Sequence, residues 1–80
     1  MTVTVEISYY PLTEDFKEPV NNFIGKLTGK NITVETGRMS TILSGEYDEL
    51  MSLLTKSMGD LMERYPSVFN LRISNACPVI

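Results

Sequence analysis

The spacing of apolar residues changes along this chain in an order that few folds can accommodate. Apolar residues recur at every second position in segments typical of half-buried strands, and about every 3.6 positions in segments typical of amphipathic helices. The segments follow one another as strand, helix, strand, strand, helix and strand. This order predicts an antiparallel sheet with both helices on one face, because two right-handed crossovers place them there.

The first strand is predicted to be followed by a short turn and a helix. Polar and apolar residues alternate from Thr2 to Tyr10, and Pro11 ends this strand. Thr13 is placed to cap a helix, and Pro19 in the first turn predicts that regular helix begins near Glu18. The apolar stripe of this helix comprises Phe16, Val20, Phe23, Ile24 and Leu27.

A hairpin is predicted in the middle of the chain. Gly29 is placed to close the first helix in a left-handed conformation, after which residues 31–36 alternate as a short second strand. Gly37 and Arg38 make the turn that reverses the chain, and Thr41 to Glu46 forms the third strand.

The strongest periodic signal predicts a second helix that begins at Tyr47 and stops before Pro66. Gly59 weakens this helix by roughly 1 kcal/mol relative to alanine, which suggests close packing at that position. A final strand is predicted from Val68 to Asn75. The complete order is that of the α+β, ferredoxin-like βαββαβ fold, and we expect the 80 residues to form one such domain. The apolar stripe of the second helix comprises Tyr47, Leu50, Met51, Leu54, Met58, Leu61, Met62 and Tyr65.

The face of the sheet without helices is predicted to carry a mixed polar set of side chains. Such a set suits specific recognition or a wet interface better than a dry dimer core. A core this small contributes only a few kcal/mol of net stability, so we expect a partner subunit in a homodimer or homotetramer. The residues of this face are Thr4, Glu6, Ser8, Tyr10, Asn70, Arg72 and Ser74.

Charge and missing residue types argue against several classes of function. The net charge is -3 and the cations are spread along the chain, so we expect no nucleic-acid partner. Histidine is absent and Cys77 is the only cysteine, so we expect no enzyme, metal site or cofactor. No apolar stretch approaches the roughly 18 residues that span a bilayer, and no export signal is visible. We therefore expect a cytoplasmic protein that does not insert into the membrane.

Two stretches of the chain carry a resemblance to a known family. One runs from Ile7 to Asp15, and the other joins Glu35 to Thr41 with Gly45 to Leu50. The first resembles the strand-to-helix junction, and the second the hairpin and second-helix entry, of the YkoF-related thiamine and hydroxymethylpyrimidine-binding proteins. A similar pattern recurs in the wider thiamine-binding superfamily. The resemblance implies a ferredoxin-like domain that binds thiamine or its pyrimidine half and associates through its sheet.

The candidate binding site combines the first strand with the hairpin, which are neighbours in this fold. An aminopyrimidine ring needs an aromatic or thioether wall and a few fixed polar partners. A tyrosine of the first strand would be the wall, Ser40 and Thr41 the hydrogen-bonding edge, and Glu35 an acceptor for the exocyclic amine. Alternatively, Tyr9 belongs to the core, Tyr10 to the sheet surface, and the two hydroxyl residues merely begin a strand. The complete candidate set is Tyr9, Tyr10, Glu35, Met39, Ser40 and Thr41.

Two functions stay open on this evidence. One is a non-catalytic carrier or sensor of thiamine or its pyrimidine precursor, and the other is an assembly or regulatory module that oligomerises without a vitamin ligand. Because the cations are not clustered in sequence, an uncharged pyrimidine or cationic thiamine is favoured over a diphosphate. Glu46, Asp48 and Glu49 are interpreted as charges that stabilise the start of the second helix.

Overall fold

The computed structural model describes residues 1–27 and 31–76 and confirms the predicted order of elements. The strands form one antiparallel sheet in the order β2-β3-β1-β4. Residues of both helices join one hydrophobic cluster with the buried residues of the sheet, and the fold is ferredoxin-like α+β. The elements are β1 (Thr2–Pro11), α1 (Lys17–Lys26), β2 (Thr33–Thr36), β3 (Thr41–Glu46), α2 (Tyr47–Arg64) and β4 (Ser67–Ser74).

The core lies between the sheet and the two helices. Val5 of β1 lies opposite Leu43 of β3, and both are 0% exposed. Burial of each such side chain contributes roughly 1.5–3 kcal/mol, so this layer supplies most of the free energy that holds the helices to the sheet. The remaining buried apolar residues are Val3 and Ile7 of β1, Phe23 of α1, Leu27 after it, and Leu50, Leu54 and Leu61 of α2.

β1 is a central strand that extends beyond one of its neighbours. Its pairing with β3 reaches only as far as Ile7, which lies opposite Thr41. On its other side β1 pairs with β4 up to Pro11, which lies opposite Ser67. Within the described residues, the backbone over residues 8–11 therefore has no strand partner on the β3 side. This overhang leaves a gap at one end of the sheet.

The start of α1 differs from the predicted capping. The helix begins at Lys17 with Phe16 as its N-cap, and Phe16 makes no side-chain capping bond. The Thr13 hydroxyl instead donates to the Asp15 carbonyl at 2.8 Å, so the expectation that Thr13 caps the helix was wrong. Pro19 is the third helical residue, where a backbone N–H has no partner within the helix, and it therefore costs α1 no hydrogen bond.

The start and end of α2 match their prediction. Glu46 is the N-cap, and its Oε2 accepts a hydrogen bond from the Glu49 backbone N–H at 2.9 Å. The helix ends at Arg64, and the C-cap residue Tyr65 has an extended backbone, as expected for a residue before proline. The Glu46 carboxylate at the N-cap also interacts favourably with the positive end of the helix dipole, as the sequence had indicated.

The buried face of α2 is narrower than its apolar stripe. Leu50, Leu54 and Leu61 are fully buried, whereas Met62 is 54% and Tyr47 38% exposed. Met62 follows Leu61 directly, and one residue turns the helix by about 100°, which carries its side chain off the face that meets the sheet. The expectation that Met62 packs in the core was therefore wrong, and Tyr47, at the start of the apolar stripe, is also partly exposed.

Gly59 does not serve close packing, contrary to expectation. A Cβ atom built at this position would have no neighbour within 4 Å. Gly45 is different, because a Cβ there would lie 3.2 Å from both the Asn31 carbonyl oxygen and the Ile32 Cγ1 atom. Close approach in this fold therefore occurs at the end of β3 and not in α2.

The other boundaries shift by one or two residues from their predictions. The second strand covers Thr33–Thr36 and leaves out Asn31, whose φ of 60° is left-handed. The last strand begins at Ser67 and ends at Ser74. The expected helix closure at Gly29 and the single Cys77 lie outside the described residues. None of the helices in the described ranges is long and apolar enough to cross a membrane.

Candidate functional site

A pocket of about 520 Å³ lies where β1 extends beyond β3. It is bounded by the end of β1, by α1, and by the turn between β2 and β3. Its volume falls within the range of roughly 300–1,000 Å³ that is typical of small-molecule sites. The local cause is the short β3, because a longer strand would pair with β1 and fill this space.

Tyr9 and Phe23 form the aromatic base of the pocket, and both rings pack against Phe69. Tyr9 stacks on Phe69 with ring centroids 4.4 Å apart, and it meets Phe23 edge-on at 5.3 Å. The Tyr9 hydroxyl and Ser67 Oγ are 3.1 Å apart and share a hydrogen bond. Both the ring and the hydroxyl of Tyr9 are therefore fixed by the fold, and the pocket has a rigid apolar base.

Tyr10 and Met39 line the more open part of the pocket. Tyr10 is 51% exposed and Met39 is 86% exposed, so the side chains of both can adjust to a ligand. The Gly37 N–H donates to the Ser40 carbonyl at 2.9 Å, which closes a tight turn with Arg38 and Met39 at its tip. An aromatic ring and a thioether are the kinds of side chain that contact flat heteroaromatic ligands well.

Ser40 and Thr41 bring hydroxyl groups to the pocket from the start of β3. Thr41 is 5% exposed and lines the pocket, and its hydroxyl is a group that can both donate and accept. Ser40 donates its hydroxyl proton to Glu6 Oε2 at 3.0 Å, which leaves the Ser40 oxygen free to accept. Thr41 can therefore donate or accept, whereas Ser40 is oriented as an acceptor.

Glu6 anchors Ser40 from the open face of the sheet. Its other carboxylate oxygen accepts from Arg72 at 2.9 Å. The hydrogen bond from Arg72, and then that from Ser40, holds the pKa of the Glu6 carboxyl below its usual value. The group is thus ionised at neutral pH and keeps the Ser40 hydroxyl turned toward it.

Glu35 lies apart from the other predicted site residues. It pairs with Ile42, which in turn lies opposite Glu6, so all of these side chains are on the open face. Its neighbour Val34 lies opposite the buried Leu43 and faces the helices. Glu35 does not line the pocket, whereas Tyr9, Tyr10, Met39, Ser40 and Thr41 do. The alternation of Val34 and Glu35 was a signal in the sequence for this placement.

Several lining residues were not identified from the sequence. Phe16 had been assigned to the buried stripe of the helix, but it precedes α1, is 56% exposed and lines the pocket. Lys17 and Arg38 also line the pocket, although they come from separate elements. Among these residues, only Phe16 had a local signal in the sequence. It precedes Pro19, and because a proline fits best in the first helical turn, this position indicated that Phe16 lies before the helix. The approach of α1 to the hairpin is a tertiary contact with no sequence signature. The further lining residues of α1 are Val20, Asn21, Phe23 and Ile24.

The arrangement suits the binding of a flat, partly polar ligand. It offers an apolar base, adjustable aromatic and thioether walls, hydroxyl groups and two cationic side chains. The unpaired backbone of residues 8–11 adds a strand edge that can exchange hydrogen bonds with a ring. Within residues 1–27 and 31–76, no group of three or more His, Cys, Asp or Glu residues is placed to hold a metal ion.

Solved structures from several organisms share this fold. A candidate thiamine biosynthesis or salvage protein of Thermotoga maritima is 28% identical, with 91% of this chain and 82% of that chain covered and a TM-score of 0.80. A Streptococcus pneumoniae protein is 22% identical over 92% and 86% of the two chains, with a TM-score of 0.83. A hypothetical protein of Methanocaldococcus jannascii is 23% identical over 99% and 84%, also with a TM-score of 0.83. The last two comparisons show the fold alone.

The sequence itself matches a family model over most of its length. No curated protein matches the chain. The model described as thiamine-binding protein matches residues 5–74, which include all of the predicted site residues. This match confirms the predicted membership of the wider superfamily: the chain belongs to the thiamine-binding protein family.

Proposed function

We propose that the pocket binds thiamine or its hydroxymethylpyrimidine moiety, and that the protein is a cytoplasmic, homo-oligomeric carrier or sensor. The observation that carries this proposal is the pocket beside the β1 overhang, in a chain of the thiamine-binding protein family. The candidate thiamine biosynthesis or salvage role of the Thermotoga maritima protein supports the same ligand class. The protein would hold the ligand without transforming it, as a binding family implies.

The pyrimidine ring would lie against the aromatic base beside Tyr9. Tyr10 and Met39 would close over its exposed side, since both side chains are free to move. Thr41 would bond to a ring nitrogen or to the exocyclic amine, because it lines the pocket and its hydroxyl can donate or accept. The strand edge at residues 8–11 would complete the polar contacts in the way that an added strand does.

A second candidate function is an assembly module without a vitamin ligand. The observation that favours it is Ile42, an apolar residue of β3 that is 38% exposed on the open face of the sheet. Oligomerisation through this face is compatible with either function. Ligand binding is what separates them.

The two functions can be separated by a thermal-shift titration. We expect thiamine or hydroxymethylpyrimidine at about 100 times its dissociation constant to stabilise the fold by roughly 2.7 kcal/mol. For a domain of this size that corresponds to a rise in Tm of roughly 10–20 °C. The absence of any saturable rise with either compound would contradict the binding function and favour the assembly module.

The location of the site is tested by a pair of tyrosine variants. Tyr10→Ala removes a lining side chain, and we expect it to weaken binding by about tenfold or more, since an aromatic contact is lost. Tyr47→Ala is the matched control, because Tyr47 is also partly exposed but lies on α2 outside the pocket. Equal affinity in the wild-type protein and Tyr10→Ala would place the ligand elsewhere.

A further inference from the structure

We infer that the pocket selects a phosphorylated form of its heteroaromatic ligand over the unphosphorylated form. This inference rests on the proposed function and specifies its ligand class. Its basis is the side-chain charge around the pocket, where Lys17 and Arg38 are both among the lining residues. No carboxylate lines the pocket within the described residues.

The two cations come from separate elements that line the pocket. Lys17 is the first residue of α1, and Arg38 stands at the tip of the tight turn between β2 and β3. The aromatic base, with Tyr9 and Phe23, lies in the same cavity. A ligand with its ring on this base can therefore direct a substituent toward both cations. Phosphate is the substituent that such a pair recognises best, through charge-assisted hydrogen bonds.

Neither cation is neutralised by a neighbouring acid. The ion pairs among the described residues join Lys26 to Asp60 and Arg72 to Glu6, and neither includes Lys17 or Arg38. Asp15 and Glu18 are close to Lys17 in sequence, but neither lies within 4 Å of it as an ion pair or lines the pocket. The cavity is therefore electropositive, although the chain as a whole has a net charge of -3.

This charge distribution could not be recognised from the sequence. Lys17 and Arg38 are far apart along the chain, and the scattered cations favoured an uncharged or cationic ligand on sequence grounds. The fold brings the two together at one cavity. The positive thiazolium ring of thiamine would be repelled there, whereas a phosphate on the same molecule would be attracted.

The inference is tested by calorimetric titration with thiamine and thiamine monophosphate. We expect the wild-type protein to bind the phosphate ester about tenfold or more tightly than thiamine, and the difference to shrink with added salt. The double variant Lys17→Gln/Arg38→Gln should lose this preference. The double variant Lys56→Gln/Arg64→Gln is the control: it removes the same charge from α2, outside the pocket, and should keep the preference.

The outcomes separate this inference from the proposed function. If wild-type protein binds thiamine as tightly as its phosphate ester, or if the preference survives in Lys17→Gln/Arg38→Gln, the phosphate inference fails while the vitamin site stands. If neither compound binds, the phosphate inference fails, and a titration with hydroxymethylpyrimidine then decides whether the proposed function fails with it. Circular dichroism reports whether each variant is folded, and should the pocket variant unfold, the wild-type affinity ratio and its salt dependence decide the question.

Discussion

Glu6 connects two polar side chains on the open face of the sheet. One carboxylate oxygen accepts from Arg72 of β4, and the other accepts from Ser40 beside the pocket. Both bonds favour the ionised form and lower the pKa of Glu6. The same side chain therefore holds β4 to β1 and fixes one hydroxyl of the candidate site.

We predict a pH-dependent contribution of Glu6 to stability. Its pKa is lowered in the folded state, so its contribution is fully present above the pKa of an unperturbed glutamate and is lost as pH falls through the lower pKa of the folded state. Urea denaturation of the wild-type protein and Glu6→Gln between pH 3 and 7 measures this. The stability gap between them should be largest near neutral pH and narrow below pH 4.5. A gap that is constant over this range would contradict the prediction.

A second prediction at the residue scale concerns Gly59. Alanine at this helical position would meet no atom within 4 Å, so Gly59→Ala should raise the free energy of unfolding by about 1 kcal/mol. Gly45→Ala is the contrasting variant, because its Cβ would lie 3.2 Å from the Asn31 carbonyl oxygen and should destabilise the fold. Chemical denaturation measures both. A loss of stability in Gly59→Ala would reveal a role for glycine there that packing does not explain.

At the scale of elements, local chemistry decided how well the sequence predicted the structure. β3 and α2 have the predicted boundaries because an alternating strand, a carboxylate cap and a proline mark them directly. Thr13 was misassigned because its hydroxyl bonds within the turn, and many threonines before helices offer the same choice. Met62 was misassigned because helical periodicity gives the apolar stripe but not how much of it the sheet covers.

The cap of α2 gives a prediction for a whole element. Glu46→Ala removes the acceptor of the Glu49 N–H and should lower the free energy of unfolding by about 1 kcal/mol. Glu63→Ala is the control, since it removes the same kind of side chain from an exposed site near the other end of the helix. Equal stability of the two variants would show that the Glu46 bond contributes nothing measurable.

At the scale of the whole molecule, part of the site followed from sequence and part did not. Tyr9, Tyr10 and the residues 39–41 were predicted together because adjacent strands bring them into contact. The α1 residues that line the pocket were not predicted as site residues. The angle at which a helix lies on a sheet depends on the packed core, which here includes Phe23 and Leu27. Lys17 was missed for the same reason, and Arg38 because only the fold brings the hairpin turn to the cavity that α1 lines.

Assembly is the prediction that belongs to the whole molecule. The 9.0 kDa chain has a small core, so we expect light scattering to give at least twice this mass. Ile42→Glu adds a carboxylate between Glu6 and Glu35 on the open face, and it should shift the mass toward the monomer. Met62→Glu, an exposed substitution on α2, should not. A monomeric wild-type protein would contradict both the expected oligomer and its interface.

The overhang of β1 beyond β3 has a consequence for how such sites diversify. The cavity exists because the hairpin is short, and the hairpin turn is a surface segment where insertions are readily tolerated. Lengthening each hairpin strand by two residues would keep every side chain on its present face, since strand alternation has a period of two. It would also extend β3 alongside Tyr10 and reduce the space for a ligand. Descendants of one ancestral domain can thus accept ligands of different size, or none, through changes in a single turn while their cores stay the same.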